Sequence, residues 1–585
     1  MFTKSGANFL LVIALVFSFF LLALGPKLRF DYDFEQFFPE SDEDLTFYRA
    51  YSQTFGTDND YLLLAFERKE EERLSDFLEE LKGLQQNLNS LPQVDTVLSA
   101  WDIQKPIIGL FGLRTIPGFE LSEGEVEWNV NSEDLKGKFI SKEGDSWLLL
   151  VKNRAGLSKE EGDLLYHEIR TEIDRSQLVL RAVAGKIQTQ GDFVSLMQQE
   201  FGMFFALSLL LMLVLLVLVF RTWWGVLIPV LVLGIGVLWA FALILGMGKS
   251  LALMSVMQPT IFLIVGLSAL IHIFTHFQKK RNLGVSSERA VQESFQELFM
   301  PVFLTVLTTS LGFLSLYFTT IPALKDFGLT TGLGILVVFG AILGFAPFLM
   351  YRLGTKANTG STAHAGLKIA SVFGWILGKR KWIPWVFLSF SILGVWAGTQ
   401  IPVNGFLLDN LPEDHPIQQD FIFFDEQFGG SNPIEIYLKT GSKSSSLVEF
   451  EVLKEMGKVE EKLQDLFPQA EFISPVTLVK VLNQAQNQGS DRAFTFPSQG
   501  QFLRMNRYLD RFLDRSGGDV LTEDRQEGRI SGRIPDLGTQ EMERKRKEFF
   551  SFLEKEIDPK LLQVRWTGTS YLIDQGHQTV TMQMA

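Results

Sequence analysis

The sequence predicts a polytopic α-helical membrane protein with seven spans and two homologous α+β domains outside the bilayer. Three observations predict it: seven apolar stretches near the roughly 20 residues that cross a bilayer, a net charge that changes sign along the chain, and an internal repeat. Residues 26–200 carry a net charge of −15, residues 201–401 of +9 and residues 402–585 of −8. With Lys4 these make the −13 of the whole. The average of 46% hydrophobic and 21% charged residues is therefore a mixture of two acidic, water-compatible blocks and one apolar, basic block. Such a chain is neither disordered nor collagenous. Acidic blocks repel phosphate, which argues against a nucleic-acid partner. Cysteine is absent, so there is no disulfide framework, thiolate metal site or cysteine nucleophile.

The apolar stretches lie at about 7–25, 201–220, 225–246, 254–277, 299–319, 327–351 and 382–401. The first reads as an uncleaved anchor. Its uncharged run from Ala7 to Gly25 is long for a signal peptide, and Pro26, Lys27 and Arg29 follow where small cleavage-site residues would stand. Positive charge decides orientation. With the N-terminus in the cytoplasm, Arg221, Lys279, Lys280, Arg281, Arg289, Arg352 and Lys379 fall in inner loops, whereas the short outer loops hold Lys249 and Lys325. Both acidic blocks are then outside. The segment 353–381 is a cytoplasmic strap, and its apolar run Leu367–Ile376 is either an interfacial helix or an extension of the seventh span. The division is thus 1–25, first span; 26–200, first outer domain; 201–352, five-helix bundle; 353–381, strap; 382–401, seventh span; 402–585, second outer domain.

The two outer domains repeat one pattern. Phe38-Pro39-Glu40 and Leu411-Pro412-Glu413 are 373 residues apart, and Phe55-Gly56 and Phe428-Gly429 keep that offset. Strand-like Tyr61–Phe66, helical Arg73–Leu91, strand Trp147–Val151, helix Lys159–Ile173 and strand Leu178–Ala184 follow in the first. Ile434–Leu438, Leu447–Leu466, Arg529–Ile534, Thr539–Ile557 and Leu562–Trp566 answer them in the second. Each domain reads as two β-α-β units, an α+β sandwich of the ferredoxin-like kind. Gly185 leads into the second span, and Gly568 occupies the equivalent place. A further span is therefore expected near residue 584. A repeat of one span, one domain and five spans gives twelve spans, so a truncated product or fragment is expected. The alternative is a seven-span protein with a soluble tail.

Several stretches carry a family resemblance. Phe220-Arg221-Thr222-Trp223-Trp224-Gly225, continuing to Pro229, resembles the turn between spans two and three of the resistance-nodulation-division (RND) superfamily, particularly its MMPL-like, hydrophobe-exporting branch. Pro301 to Ser315, with Thr308, Thr309, Ser310 and Gly312, resembles that family's span five. Ile321-Pro322 to Phe327-Gly328 resembles the hairpin before span six, and Pro347 the end of that span. Spans two to six are similar to a sterol-sensing domain. The resemblance implies porter-type periplasmic domains on a multi-pass protein of a bacterial inner membrane. It further implies export of a hydrophobic or lipid-like substrate driven by protons, with membrane lipids in contact and no cofactor. A homo-oligomer or a periplasmic partner stays open.

Proton coupling needs a titratable group inside the membrane, where such groups are costly and hence functional by default. Away from their ends the seven spans contain no Asp, Glu, Lys or Arg, but span four contains His272 and, one turn on, His276. RND relatives carry an acidic residue shortly before a histidine there. This chain reads Gly266-Leu267-Ser268-Ala269-Leu270-Ile271-His272, so the carboxylate is missing. Two readings follow. Either His272 binds and releases the proton, with Ser268 four residues earlier sharing a hydrogen bond, or His272 is neutral and satisfied by a neighbouring helix. His276, near Lys279–Arg281, reads as an interfacial residue and a weaker candidate. Thr308 and Thr309, also weaker candidates, are expected with Thr305 to hydrogen-bond across helices. Gly332, Gly334, Gly340 and Gly344 suggest close helix approach, and Gln258-Pro259 an opened backbone.

Phosphate-loop, nucleophile-elbow and zinc-protease motifs are absent from the sequence, so neither ATP-driven transport nor an enzyme is supported by it, and a secondary transporter is what the resemblance implies. The clusters Asp42–Asp44 and Glu70–Glu72 lack calcium-loop spacing and read as solvated surface; no metal site is expected. A lipid-sensing receptor without pump activity and a proton-driven accessory factor for protein export remain as rivals.

Overall fold

The computed structural model describes residues 42–353, 381–398 and 415–584 apart from 110–111, 123–124, 252 and 517, together with scattered positions among 9–38, 374–378 and 404–411. Most of the first expected span and of the strap lies outside the described residues. The chain divides into two compact units, Met1–Glu40 with Phe193–Pro402, and Ser41–Asp192 with Val403–Ala585.

The first α/β block opens with α1 (Glu43–Phe55). Asp42 starts it by accepting from the Leu45 N–H at 2.9 Å, and Gly56, at φ 79°, ends it in the left-handed region that glycine enters without strain. Then come β1 (Tyr61–Glu67), α2 (Leu74–Asn89), β2 (Val94–Leu98), the hairpins β3–β4 (Gln104–Gly109, Gly112–Pro117) and β5–β6 (Phe119–Ser122, Glu125–Trp128), β7 (Ser146–Asn153), α3 (Lys159–Arg175) and β8 (Val179–Gly185). A reciprocal capping box between Ser158 and Glu161 fixes the start of α3. The four main strands pair antiparallel in the order β2-β7-β1-β8.

The bundle follows: α4 (Lys186–Phe220), α5 (Trp223–Gly246), α6 (Gln258–Asn282), α7 (Ser287–Leu314), α8 (Pro322–Leu353) and α9 (Ile383–Gly398). Five helices among the described residues are long and apolar enough to cross a membrane; α9, with 16 residues, is shorter and buries none of them. Helices α5 and α8 bury most of their apolar residues, which mesh with Phe262, Leu263, Leu267 and Leu270 of α6. Small residues allow this approach. A Cβ on Gly266 would lie 2.5 Å from Leu233 Cδ2, and one on Gly334 2.4 Å from Phe262 Cζ. Gly340, expected to act likewise, faces open space. Pro259 does not open the backbone: it occupies the first turn of α6, where no intrahelical N–H is needed.

The second block comprises α10 (Pro416–Gln427), β9 (Asn432–Thr440), α11 (Phe450–Leu466), β10 (Glu471–Ile473), α12 (Pro475–Gln486), α13 (Gln499–Ser516), β11 (Glu527–Ile534), α14 (Thr539–Glu556), β12 (Leu562–Thr567) and α15 (Thr569–Met584). Its antiparallel sheet runs β10-β11-β9-β12, the same order as in the first block when strands are counted within each. Between the second and third sheet strands the blocks diverge. The first inserts two hairpins there, and the second inserts α12 and α13.

Within this unit the blocks exchange their leading helices. Strand residues alternate between faces. In β1, Leu62, Leu64 and Phe66 meet α2 and α3, whereas Leu63 and Ala65 meet Phe424 and Phe428 from α10 and its C-terminus. In β9, Ile434, Ile436 and Leu438 meet the block's own helices, whereas Tyr437 packs edge-on against Phe47 and Tyr51 of α1. The repeated Phe-Gly pair is thereby explained. Gly56 and Gly429, at φ 79° and 78°, follow the C-terminal ends of the two exchanged helices. Asp42 and Asp44, expected to be plain solvated surface, do work in this exchange. Asp42 caps α1, and Asp44 pairs with Arg565 at 2.8 Å and accepts from the Tyr571 hydroxyl at 2.9 Å.

Candidate functional site

Helix α6 has two faces. Phe262, Gly266, Leu270, Ile273 and Phe277 recur at three- and four-residue spacing and are buried against the bundle. Ile264, Ser268 and His272 recur every four residues on the other side and are exposed. Opposite them α7 presents Leu298, Pro301, Val302, Thr305, Val306 and Thr309. Together these side chains line a groove of about 370 Å³. The two helices therefore bring together His272, Ser268 and Thr309 of the expected site residues, and add Thr305. Thr308 is not among the lining residues.

His272 stands about three turns from the nearer end of α6. Among the described residues neither its imidazole nor the Ser268 hydroxyl has a hydrogen-bond partner, so the expected bond between them is not formed. The threonines depart from expectation as well. Thr305 donates to the Pro301 carbonyl at 3.0 Å, and Thr308 and Thr309 both donate to the Thr305 carbonyl, at 3.0 and 2.9 Å. In a helix a threonine hydroxyl reaches the carbonyl three or four residues back more readily than a neighbouring helix. The hydroxyl protons are thus used locally, and oxygen lone pairs are left as acceptors in the groove. Those can take a hydrogen bond from an N–H or from a protonated imidazole.

His276, one turn further along α6, is in a different setting. Its Nδ1 lies 3.1 Å from Ser294 Oγ and its Nε2 3.2 Å from Glu297 Oε2. Lys280 donates to Glu293 at 2.8 Å and to Glu297 at 2.7 Å. Glu293 and Glu297 lie just before the apolar run 299–319, and sequence reasoning missed them. The signal was present: Glu293 and Glu297 are four apart, as are His276 and Lys280, so each pair forms one face of its helix. His276 is accordingly a member of an ion-pair cluster between α6 and α7 and not simply an interfacial side chain. Metal-ligand groupings of three or more His, Asp or Glu residues are absent among the described residues.

A long helical hairpin carrying a mostly apolar groove that holds His272, Ser268, Thr305 and Thr309, placed in the chain between two blocks of matching strand order, is a distinctive combination. The model of the MMPL family matches residues 50–382, more than half of the chain. The chain belongs to the MMPL family. Family membership makes it an RND/MMPL-type membrane protein, and MMPL proteins are transporters and not enzymes. The MMPL match includes α6, α7 and the whole groove. No curated protein matches the chain.

Proposed function

We propose that the chain is a proton-driven exporter of the RND/MMPL type that moves a hydrophobic or lipid-like substrate out of a bacterial inner membrane. In this reading its two α/β blocks are ferredoxin-like porter domains on the periplasmic side, and first and seventh spans flank the five-helix bundle. The identical strand order of the two sheets supports the porter assignment. The observation that carries the coupling role is the groove, where His272 and Ser268 on one helix lie opposite Thr305 and Thr309 on the other, midway along an apolar hairpin. Protonation converts the imidazole from one N–H donor to two. The added donor and charge favour any conformation that brings acceptor oxygens such as Thr305 and Thr309 closer, and loss of the proton relaxes it. Membrane lipids are the expected source of substrate.

Reconstitution of the chain into liposomes, with lipid efflux followed with and without an imposed pH gradient, tests the function. Efflux indifferent to the gradient would remove the pump reading. A second reading, a lipid-sensing bundle without pump activity, is favoured by the absence of Asp and Glu from α6, where the resemblance implies a carboxylate at the place of Ser268 or Ala269. Lipid binding without gradient-driven efflux would support that alternative.

A further inference from the structure

The exchanged helices make two junctions between the α/β blocks, and the two differ in chemistry. Where α10 lies on the first sheet, Phe424 and Phe428 meet Leu63, Ala65, Leu148, Ala182 and Ala184, an apolar core edged by Asp420, which accepts from the Val183 N–H at 3.1 Å, and by Arg181 over the Phe423 ring. Where α1 lies on the second sheet, the strand face it covers carries Glu435, which is 2% exposed. Glu435 Oε2 accepts from the Tyr51 hydroxyl at 2.6 Å, and Oε1 from the Ser531 hydroxyl at 2.5 Å. Arg529 Nη1 stands 3.7 Å from Oε1. Beside this group is Asp58 of the first block, also buried, which accepts from the Tyr48 hydroxyl at 2.7 Å and from the N–H and hydroxyl of Thr569 at 2.7 and 2.6 Å. Gly568, at φ 104°, passes between them. A Cβ there would lie 2.8 Å from Asp58 Oδ2 and 3.2 Å from Glu435 Cβ. The remaining titratable neighbours are Tyr61, whose hydroxyl donates to the Ser431 carbonyl at 3.0 Å, with Arg533 and Asp425 acting on it.

Two carboxylates from opposite blocks thus share a buried seam with one guanidinium, Arg529, in contact. With Glu435 protonated the seam's Asp58 and Arg529 balance. With Glu435 ionised the seam holds an excess negative charge away from water, which is costly. We propose that the seam is a proton-operated latch: a proton bound at Glu435 holds α1 on the second block's sheet, and its loss loosens that contact. The step is proton exchange between water and one carboxylate oxygen, with no other bond made or broken. The latch is independent of the transport reading and stands or falls by itself.

Burial, opposed by Arg529 and reinforced by the Asp58 charge, pushes the Glu435 carboxyl up to about 7. A raised value means that the closed seam binds the proton more tightly than an exposed carboxylate does. Closure is therefore fully favoured below the ordinary carboxylate range near 4.5, and that advantage is lost as pH rises through about 7. The gap corresponds to a change on the order of 100-fold in the ratio of closed to open seam.

Hydrogen–deuterium exchange of the whole chain in lipid nanodiscs, from about pH 5.5 to 8.5 and corrected for intrinsic exchange, reads this out. Peptides from α1 should lose protection by about 30-fold between pH 5.5 and 8.5. Peptides from α2, which packs on its own sheet, should not. Glu435→Gln should keep α1 protected throughout. Tyr51→Phe removes a donor to the ionised form and should move the transition to higher pH. Protection of α1 that is flat with pH in the unmodified chain would overturn the latch, as would an unchanged transition in Glu435→Gln. If Glu435→Gln also deprotects α2, the midpoint in Tyr51→Phe decides: a rise supports the latch and an unmoved midpoint overturns it.

Discussion

Replacing Asp58 by alanine tests how strongly the first block holds the end of the second. Asp58 lies outside α15 in sequence by more than 500 residues, yet its carboxylate caps that helix, taking the Thr569 N–H at 2.7 Å and the Thr569 hydroxyl at 2.6 Å. The Tyr48 hydroxyl also donates to it but keeps an alternative in Thr569 Oγ at 3.0 Å. Tyrosine desolvation is therefore partly relieved in the variant, and the Thr569 N–H is the group left stranded. Loss of a helix cap costs about 0.5–2 kcal/mol, and an unsatisfied buried donor about 1–3 kcal/mol. These describe overlapping losses, so about 2–3 kcal/mol is expected for Asp58→Ala. At roughly 1.4 kcal/mol per decade this is a rise in amide exchange of about 30- to 150-fold over the first turn of α15. Exchange should rise in α1 as well, because Tyr48 belongs to it, while α11 and its core stay protected. Asp58→Asn keeps one acceptor and should recover about half of the loss. A change of less than about threefold at Thr569–Leu572 would refute the capping role.

Three further outcomes are expected. His272→Ala should abolish gradient-driven efflux in liposomes without lowering expression or thermal stability, since the side chain is exposed and unbonded among the described residues; retained coupling would return His272 to a structural role. Gly334→Ala forces a Cβ to within 2.4 Å of Phe262 and should destabilise the bundle by about 1–3 kcal/mol in detergent melts, whereas Gly340→Ala, which meets nothing within 4 Å, should melt like the unmodified chain. The hydrogen bonds from Ser158 hold the Glu161 carboxyl below its ordinary value, so the capping box at α3 is intact above the usual carboxylate range and is lost as pH falls through that lowered value; exchange at the start of α3 should rise on acidification toward pH 3, and should be insensitive to that step in Glu161→Gln.

Where alternation or capping is local, sequence and structure agree closely. Tyr61–Phe66 is expected and Tyr61–Glu67 observed, and the helix expected from Lys159 begins at Lys159 because Ser158 and Glu161 cap it. Three features were not legible. The first is the helix exchange. Phe47, Tyr48, Tyr51 and Phe55 give α1 an apolar face by their spacing, but spacing does not say which of two similar sheets will cover it. The second is the pair of insertions between the second and third sheet strands, where one block forms hairpins and the other helices, so the repeat offers no register to follow. The third concerns the candidate site. His272 and Ser268 share a face by their four-residue spacing, which sequence supplies. That Thr305 and Thr309 face them across a groove depends on the relative rotation of α6 and α7, which is set by packing.

The bundle's polar groups divide into two populations, and the division bears on which of them acts. Gln258 is wholly buried and donates to the hydroxyls of Thr330 and Thr331 at 2.8 and 3.2 Å. Ser310, also buried, donates to the Gly332 carbonyl at 2.8 Å. These bonds join α6 to α8 and α7 to α8, and in a helical membrane protein they serve as packing glue. Ser268 and His272 are of the other kind: exposed on the groove face and not committed to a partner among the described residues. A polar group already paired inside the bundle gains little by a change of conformation, because any movement breaks what it has. An imidazole facing acceptor oxygens without bonding them can gain a bond when it takes up a proton, and only such a differential interaction shifts an equilibrium between conformations. The same criterion separates His276 from His272. His276 is already held by Ser294 and Glu297, whereas His272 has no partner among the described residues. On the proposed function, the groove histidine is therefore the stronger candidate for coupling to movement of α6 against α7.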